Sequence, residues 1–287
     1  MDHFYRKLVR FLRSCVNLFI VLINIGRTKL EKVKIETSSK EILVLGNGPS
    51  LNDSYKEIIE LIKNSTSVFT VNSFADSNYF EILKPDFYAL VDPRFFWKTD
   101  DKLLVSIQNR TSDSLLNKTN WKLNLFVPGY SKNSDLIKKV SKNRNIKLVY
   151  FNNVAIYEGS ETLNCMLYKK GYANPPFRNV LIASIFFSLK IGFKTIKIYG
   201  ADHSWHENLH LGLDNKLYTK EMHFFDEDNS RYVLKNEEGK PAKVHEQLFS
   251  IVKALIIYHS LEKLSVMMGA KIINKSTKTW IDAFERK

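Results

Sequence analysis

The chain of 287 residues contains only two cysteines, Cys15 and Cys165, which stand far apart in the sequence. Such a pair provides neither a disulfide framework nor a cysteine-based metal site, and it indicates a reducing compartment. Acidic residues are also outnumbered, because 30 Asp and Glu accompany 43 Lys and Arg, for a formal net charge of +13. This excess predicts an anionic partner or surface.

Several signatures that would account for the positive charge are missing. There is no basic helix, zinc-ligand pattern or RNP-like aromatic motif, so we expect no nucleic-acid partner. Neither the dinucleotide fingerprint nor a P-loop lysine occurs. The lysines are spread through amphipathic segments, and anionic lipid together with a nucleotide phosphate would explain them. The plain alternative is a lysine-rich solvent-exposed surface.

The N-terminal segment combines basic and apolar residues. Its basic residues are Arg6, Lys7, Arg10 and Arg13. The apolar run that follows, residues 15–25, is shorter than the ~20 residues that span a bilayer. Residues 26–29 lack the small-residue pattern of a signal-peptide cleavage site. We therefore predict that residues 1–38 form an amphipathic helix peripherally bound to anionic lipid at the cytoplasmic face of the inner membrane; a core helix or a dimerisation helix is the alternative.

The most informative segment is residues 42–51, Ile-Leu-Val-Leu-Gly-Asn-Gly-Pro-Ser-Leu. Four apolar residues indicate a short buried strand, and a glycine-rich turn and a helical pattern follow. This arrangement aims backbone N–H groups at an anion, usually a phosphate. The predicted phosphate-binding turn consists of Gly46, Asn47, Gly48, Pro49 and Ser50. An ordinary tight strand–helix turn is the alternative.

Strands and helices alternate along the rest of the chain. Candidate strands cover residues 68–72, 86–92, 123–127, 147–151, 195–199 and 271–273, and long helices cover 180–190 and 244–268. Residues 152–177 are predicted to be irregular, and the polar segment 201–242 is predicted to be a lid insertion. The alternation predicts an α/β protein with a doubly wound, mostly parallel, Rossmann-like sheet over residues 39–287.

Four polar residues follow four of these strands: Asn47, Asn72, Asp92 and Asp202. In a doubly wound sheet the carboxyl ends of the strands share one edge, so we expect these side chains to converge on a ligand-binding crevice. Each residue taken alone is more often a turn former or a helix cap.

Histidines cluster in the predicted lid, at positions 203, 206, 210 and 223. Their spacing lacks the His-Glu-x-x-His order of a zinc site, so we predict no metal site and place Asp202 and His203 at the base of the lid, near a leaving phosphate or the acceptor. The alternative for His206 and His210 is an exposed polar loop. His245 begins the long helix that follows.

Three motifs resemble one superfamily of transferases. Asn47-Gly-Pro-Ser-Leu51 resembles the opening of the small bacterial sialyltransferases of glycosyltransferase family 42, of related surface-polysaccharide and flagellin glycosyltransferases, and of 6-hydroxymethylpterin pyrophosphokinase-like proteins. Residues 191–202 resemble the superfamily's helix–Gly–aromatic–Lys–strand–Gly-x-Asp block, and Asn274 its closing strand. The resemblance implies a GT-A-like variant of the Rossmann-like fold.

The resemblance also implies residue roles. Asn47 and Asn72 match the nucleotide-binding asparagines of the sialyltransferases, and His245 resembles their catalytic base, whose imidazole pKa suits deprotonation of an acceptor hydroxyl. Asp92 stands where that family has an Asn-Pro segment, a departure that leaves the donor open. Arg178, His203 and Tyr218 are candidates to stabilise the leaving phosphate.

We therefore predict an inverting glycosyltransferase that takes sialic acid or a related nonulosonate from a CMP-sugar, without a required cofactor or divalent metal, to a glycan or glycolipid acceptor. The catalytic candidates are His245, His203 and Asp202. The alternatives are an ATP-dependent pterin pyrophosphokinase-like enzyme and a non-catalytic nucleotide-binding protein on the same fold. A homo-oligomer is compatible with all three.

Overall fold

The computed structural model describes residues 2–25, 39–219, 232–236 and 239–286. Its centre is an eight-stranded parallel sheet in the order β11-β10-β6-β1-β2-β3-β4-β5. The strands are β1 (Glu41–Leu45), β2 (Ser67–Val71), β3 (Phe87–Ala89), β4 (Leu123–Pro128), β5 (Ile146–Phe151), β6 (Thr195–Tyr199), β10 (Lys271–Asn274) and β11 (Glu285–Arg286). The predicted doubly wound, parallel α/β fold is confirmed.

Helices cover both faces of this sheet, because each face carries its own apolar core. On one face lie α2 (Tyr55–Lys63), α3 (Tyr79–Leu83), α4 (Lys102–Lys118) and α5 (Asp135–Val140). On the other lie α6 (Glu161–Lys170), α7 (Val180–Ile191) and α8 (Val244–Met267). Residues 180–189 of α7 are all buried. A helix that is buried on every side has apolar residues all round, which explains the nearly continuous apolar run in this segment.

The chain reverses its winding direction between β1 and β6. From β1 the strands proceed through β2 to β5 towards one edge, whereas β6 returns to the other side of β1 and leads to β10. The connections that follow β1 and β6 therefore lead to helices on opposite faces of the sheet, α2 and α8, and a crevice opens at this point. Residues 46–49 and 200–203 occupy this point.

Two predictions about local structure are wrong. Residues 152–177 are not irregular throughout, because they contain α6, which Ser160 caps at its start and Gly171 ends with φ +80°. The strand predicted at residues 271–273 is not the last of the sheet, since β11 pairs beyond β10. The helix α4, between β3 and β4, was also missed; Asp101 caps it by accepting from the N–H groups of Leu103 and Leu104.

The predicted lid carries a small antiparallel sheet of three strands: β7 (His210–Leu211), β8 (Leu217–Thr219) and β9 (Tyr232–Val233). Residues 220–231, which include His223, lie outside the described part of the chain. The insertion thus has secondary structure of its own, between β6 and α8.

The N-terminal helix α1 (Asp2–Asn24) is amphipathic, as predicted from the sequence. It contacts the domain through Ser14, Asn17 and Val21, and residues 26–38 lie outside the described part. Within the described residues, no helix has the length and apolar content required to cross a bilayer.

Candidate functional site

A cleft of about 770 Å³ lies at the switch point between β1 and β6. The loops after β1, β2, β3 and β6 form its floor, and the start of α7 and the first half of α8 form its wall. The four polar residues that were expected to converge do so: Asn47, Asn72, Asp92 and Asp202 all line it. A cleft of this size and position is typical of a nucleotide-binding site in this class of fold.

The glycine turn is joined to the loop after β6. Gly46 N–H donates to Tyr199 O (2.8 Å) and Gly48 N–H to Gly200 O (2.9 Å). A Cβ atom at Gly46 or Gly48 would collide with Gly200 O, so both glycines permit a close approach of two backbone segments. Of the N–H groups in the predicted phosphate-binding turn, those of Gly46 and Gly48 are therefore bonded to the loop after β6.

Asp202 completes this connection. Its Oδ2 accepts from Ser50 N–H (3.1 Å), and its Oδ1 accepts from the Ser50 hydroxyl. Ser50 is buried and does not line the cleft, whereas Pro49 does. Asp202, a predicted catalytic residue, therefore fixes the turn that forms the floor of the cleft.

Asn47 and Asn72 each have a buried side-chain oxygen without a hydrogen-bond partner among the described residues. The amide nitrogen of Asn47 lies 3.4 Å from Val71 O, next to Asn72 in the chain. Asn72 adopts φ +48°, a left-handed conformation that asparagine tolerates better than most residues. Unpaired buried acceptors are costly, so these two oxygens mark positions where a ligand can donate hydrogen bonds.

Asp92 caps the short helical turn that follows β3. Its Oδ1 accepts from Arg94 N–H (2.9 Å), and its Oδ2 accepts from Arg94 Nε (2.9 Å) and Nη2 (2.7 Å). Oδ1 thus takes one backbone hydrogen bond and keeps a second lone pair. Asp92 and Arg94 both line the cleft.

The N-terminus of α7 faces the cleft through Arg178, Asn179, Val180 and Leu181. Asn179 caps the helix, since its Oδ1 accepts from Ile182 N–H (3.0 Å). The N–H groups before Ile182 have no carbonyl partner within the helix, as in the first turn of any α-helix. Arg178 is exposed and has no ion pair with a described residue. A helix N-terminus beside a guanidinium group favours a bound anion.

His203 lies in a buried polar network between three elements. Its Nε2 lies 2.5 Å from the Tyr258 hydroxyl on α8 and 3.5 Å from Asn179 Nδ2 at the start of α7. Burial lowers the pKa of His203 from 6.5 to about 3, so the imidazole is neutral at physiological pH. An imidazole with this pKa is a weak proton acceptor, and its position suits packing and hydrogen bonding better than general-base catalysis.

The lid side of the cleft is held by a cluster around Glu207. Its carboxylate pairs with Lys278 and accepts from Trp280 Nε1 (2.8 Å). The His206 ring packs edge-on against Trp280 at 4.2 Å. The exposed His210 lies in β7 and outside the lining.

Besides Ser50, two predicted site residues do not line the cleft. The Tyr218 hydroxyl donates to Asp214 Oδ2 (3.1 Å) on the lid. His245 is exposed in the first turn of α8, although Gln247 and Ser250 on the same helix face the cleft. The described residues contain no group of three or more His, Cys, Asp or Glu side chains placed to hold a metal ion.

The sequence interpretation missed several lining residues, notably Asn179, Trp205, Glu207 and Lys278. Asn179 had a readable signal, because an asparagine directly before an apolar helical run is a typical N-cap. Lys278 and Trp205 had none, since each comes from a loop whose path depends on the tertiary fold. Tyr258 lies within an apolar helical pattern, where its hydroxyl gives no sign of its partners.

Among curated proteins, none matches this sequence. Among solved structures, the chain is similar to the MAf glycosyltransferase from Magnetospirillum magneticum AMB-1, with a TM-score of 0.48 and 14% identity. The match covers 88% of this chain and 34% of that one, so this chain spans about a third of that protein.

The model of one protein family, described as 6-hydroxymethylpterin diphosphokinase MptE-like, matches residues 19–208. That range contains β1 to β6, the glycine turn and the loop with Asp202 and His203. Of the three groups that the Asn-Gly-Pro-Ser-Leu segment resembles, this match selects the pterin diphosphokinase-like one. The chain belongs to the MptE-like family.

Proposed function

We propose that this protein is a glycosyltransferase that moves a sugar from a nucleotide sugar to an acceptor carried on a lipid or surface glycan. The main support for this proposal is that α8 presents one side to the cleft and an exposed apolar side next to it. Gln247, Ser250, Ile251 and Ala254 line the cleft. Apolar side chains on another side of the same helix, Leu248, Phe249, Val252 and Ile256, are exposed. An acceptor with an apolar carrier fits a polar cleft that adjoins an exposed apolar stripe.

The nucleotide belongs on the β1–β3 side of the cleft. The unpaired oxygens of Asn47 and Asn72 supply acceptors for a nucleobase amino group or ribose hydroxyls. Arg178 and the α7 N-terminus supply positive potential for the phosphate, which develops charge as it leaves. Of the residues predicted for this task, Arg178 has the most favourable position, and the glycine turn contributes shape through Gly46, Gly48 and Pro49.

Asp92 is our candidate for the general base, in place of the histidines. It lines the cleft, and its Oδ1 retains a lone pair for the acceptor hydroxyl. The His203 imidazole is buried, and its Nε2 contacts Tyr258 and Asn179, while His245 does not line the cleft. A carboxylate that deprotonates the hydroxyl as it attacks the anomeric carbon gives inversion, with the nucleotide phosphate leaving on the opposite face.

For the donor we propose a CMP-sugar, carrying sialic acid or a related nonulosonate, on the resemblance of Asn47 and Asn72 to nucleotide-binding asparagines. In such a donor the leaving group carries one phosphate, which one guanidinium and one helix N-terminus can neutralise. A donor with two phosphates would present a larger charge.

The family description supports a second candidate function, pyrophosphoryl transfer from ATP to a pterin alcohol. Donor hydrolysis with CMP-, UDP- and GDP-sugars, measured beside AMP release from ATP with a pterin acceptor, separates the two. Sugar release from any nucleotide sugar supports the first proposal. AMP formation without sugar release would establish the second and contradict the first.

A further inference from the structure

The helix α1 is attached to the domain by its polar side. Its buried residues, Ser14, Asn17 and Val21, are spaced three and four apart and form one stripe. Asn17 Nδ2 donates to Glu158 O (2.5 Å) and to Asn164 Oδ1 (3.1 Å), and Ser14 Oγ accepts from Ser160 N–H (2.8 Å). Arg13 pairs with Glu158 at 2.9 Å.

The apolar side of the same helix faces away from the domain. Phe11 and Phe19 are each 63% exposed, and Leu22 is 64% exposed. The other exposed apolar residues of this face are Phe4, Tyr5, Leu8, Leu12, Val16, Leu18 and Ile23. A surface helix of a soluble domain normally buries its apolar face and exposes its polar one, so α1 has the reverse orientation. The alternative of a core helix does not fit this exposure.

Charge along α1 indicates what covers this face. Arg6, Arg10 and Arg13 recur at four- and three-residue spacing and lie on the side of the helix that carries Asn17, and Lys7 borders them. No acidic residue occurs between residues 3 and 30. A helix lying in a lipid interface has this arrangement, with apolar side chains below it and basic side chains level with the anionic headgroups.

We propose that α1 binds the surface of an anionic bilayer through its exposed apolar face, with the domain held above the membrane by the polar stripe of Ser14 and Asn17. A second copy of the chain fits this face less well. A partner's α1 packed on the apolar side would leave the basic residues on the opposite side of the helix, and it carries no acidic residue between positions 3 and 30 to neutralise them, whereas anionic headgroups would. The proposal is independent of the reaction catalysed in the cleft.

Vesicle co-sedimentation of the full chain tests this inference, with phosphatidylcholine vesicles and with vesicles that also contain phosphatidylglycerol. We expect binding to the mixed vesicles that weakens in high salt. The double substitution Phe11→Asp/Phe19→Asp should lower the partition coefficient at least about tenfold, because two charges would enter the acyl boundary. The matched control, Ile82→Asp/Val266→Asp, adds the same charge at exposed apolar positions on α3 and α8 and should bind like the wild type.

Circular dichroism and thermal unfolding establish that both double variants remain folded, which the exposure of all four positions leads us to expect. Sedimentation velocity without lipid tests whether a second copy of the chain covers the apolar face of α1. The proposal would be overturned if the wild-type chain did not bind the mixed vesicles but formed a dimer, and if Phe11→Asp/Phe19→Asp converted that dimer to a monomer. A second copy of the chain would then be the molecule that covers the apolar face. Unchanged vesicle binding by Phe11→Asp/Phe19→Asp would overturn the proposal as well.

Discussion

At the scale of single residues, His203 links the cleft to protein stability. Its pKa is about 3 in the fold against an ordinary 6.5, because burial disfavours the imidazolium ion. The unfolded chain therefore binds a proton more readily than the native protein between these two values. His203 contributes full stability above pH 6.5, and this contribution is lost as the pH falls towards 3.

We predict that His203→Gln flattens the acid limb of the stability curve. For wild type, this group alone lowers the free energy of unfolding by up to ~1.4 kcal/mol per pH unit below its unfolded pKa. Glutamine does not titrate, so the variant should lose less stability between neutral pH and about pH 4. Urea unfolding at a series of pH values measures both slopes. Parallel curves for the two proteins would show that His203 is protonated without cost in the fold.

Asp92 carries a second residue-scale prediction, about chemistry. Asp92→Asn keeps the shape of the side chain but removes its ability to accept a proton, so turnover should fall roughly 10²–10⁴-fold with the KM for the donor little changed. Asp135→Asn, at an exposed position on α5, is the matched control and should retain full activity. If instead His245→Ala removes turnover and Asp92→Asn does not, the base is His245 as the family-42 resemblance implies.

At the scale of elements, the turn after β1 is defined by its contact with the loop after β6. Gly48→Ala places a Cβ 2.6 Å from Gly200 O and closer still to the Asp202 carboxylate. Because backbone and a hydrogen-bonded carboxylate must move, we expect a loss of about 1–3 kcal/mol in the free energy of unfolding, together with weaker nucleotide binding. Gly129→Ala meets only the end of the Asn152 side chain at 2.9 Å and a carbonyl at 3.4 Å, and it should cost less.

Chemical denaturation of the two alanine variants measures the difference. Equal stability would mean that the turn relaxes away from β6 without cost, and the hydrogen bonds from Gly46 and Gly48 would then not hold the floor of the cleft. A Gly48→Ala protein with wild-type stability but no nucleotide binding would restore the phosphate-contact role that the sequence predicted for this turn.

Periodicity predicted the elements that have a clear apolar run or face and missed those that do not. The sequence placed β6 at residues 195–199 and the start of α8 at residue 244, because apolar runs and breaks mark them clearly. It missed α6, whose exposed and buried residues mix Lys, Asn and Cys, so that no apolar face stands out. The convergence of Asn47, Asn72, Asp92 and Asp202 followed from topology alone, whereas the occupied N–H groups of the turn depend on how closely β6 approaches.

At the scale of the whole molecule, a ligand at the switch point should stabilise the entire domain, because the cleft joins loops from four strands to α7 and α8. A nucleotide at ~100 times its Kd adds about 2.7 kcal/mol to the free energy of unfolding, which corresponds to several degrees in Tm. We predict such a shift with the cognate nucleotide and its loss in Arg178→Ala. Arg144→Ala, at an exposed position beside the amino-terminal end of β5, is the control with equal charge.

Differential scanning fluorimetry with CMP, UMP, GMP and AMP measures these shifts. A nucleotide that stabilises Arg178→Ala as much as wild type would exclude Arg178 from phosphate binding. A rise in Tm with all four nucleotides alike would indicate recognition of ribose and phosphate rather than of the base by Asn47 and Asn72.

Because the loops after β1 and β6 are joined, the floor and the α8 wall of the cleft should differ in how well they tolerate substitution. Hydrogen bonds tie Gly46, Gly48 and Ser50 to residues 199–202, and Ser276 and Thr279 tie the same loop to the segment after β10. A substitution at Gly46, Gly48, Ser50 or Asp202 therefore disturbs this connection. The α8 wall, whose Gln247 and Ser250 lie on one regular helix, carries no such connection in the described structure. Libraries intended to change acceptor preference therefore belong on α8, where substitutions leave the floor intact.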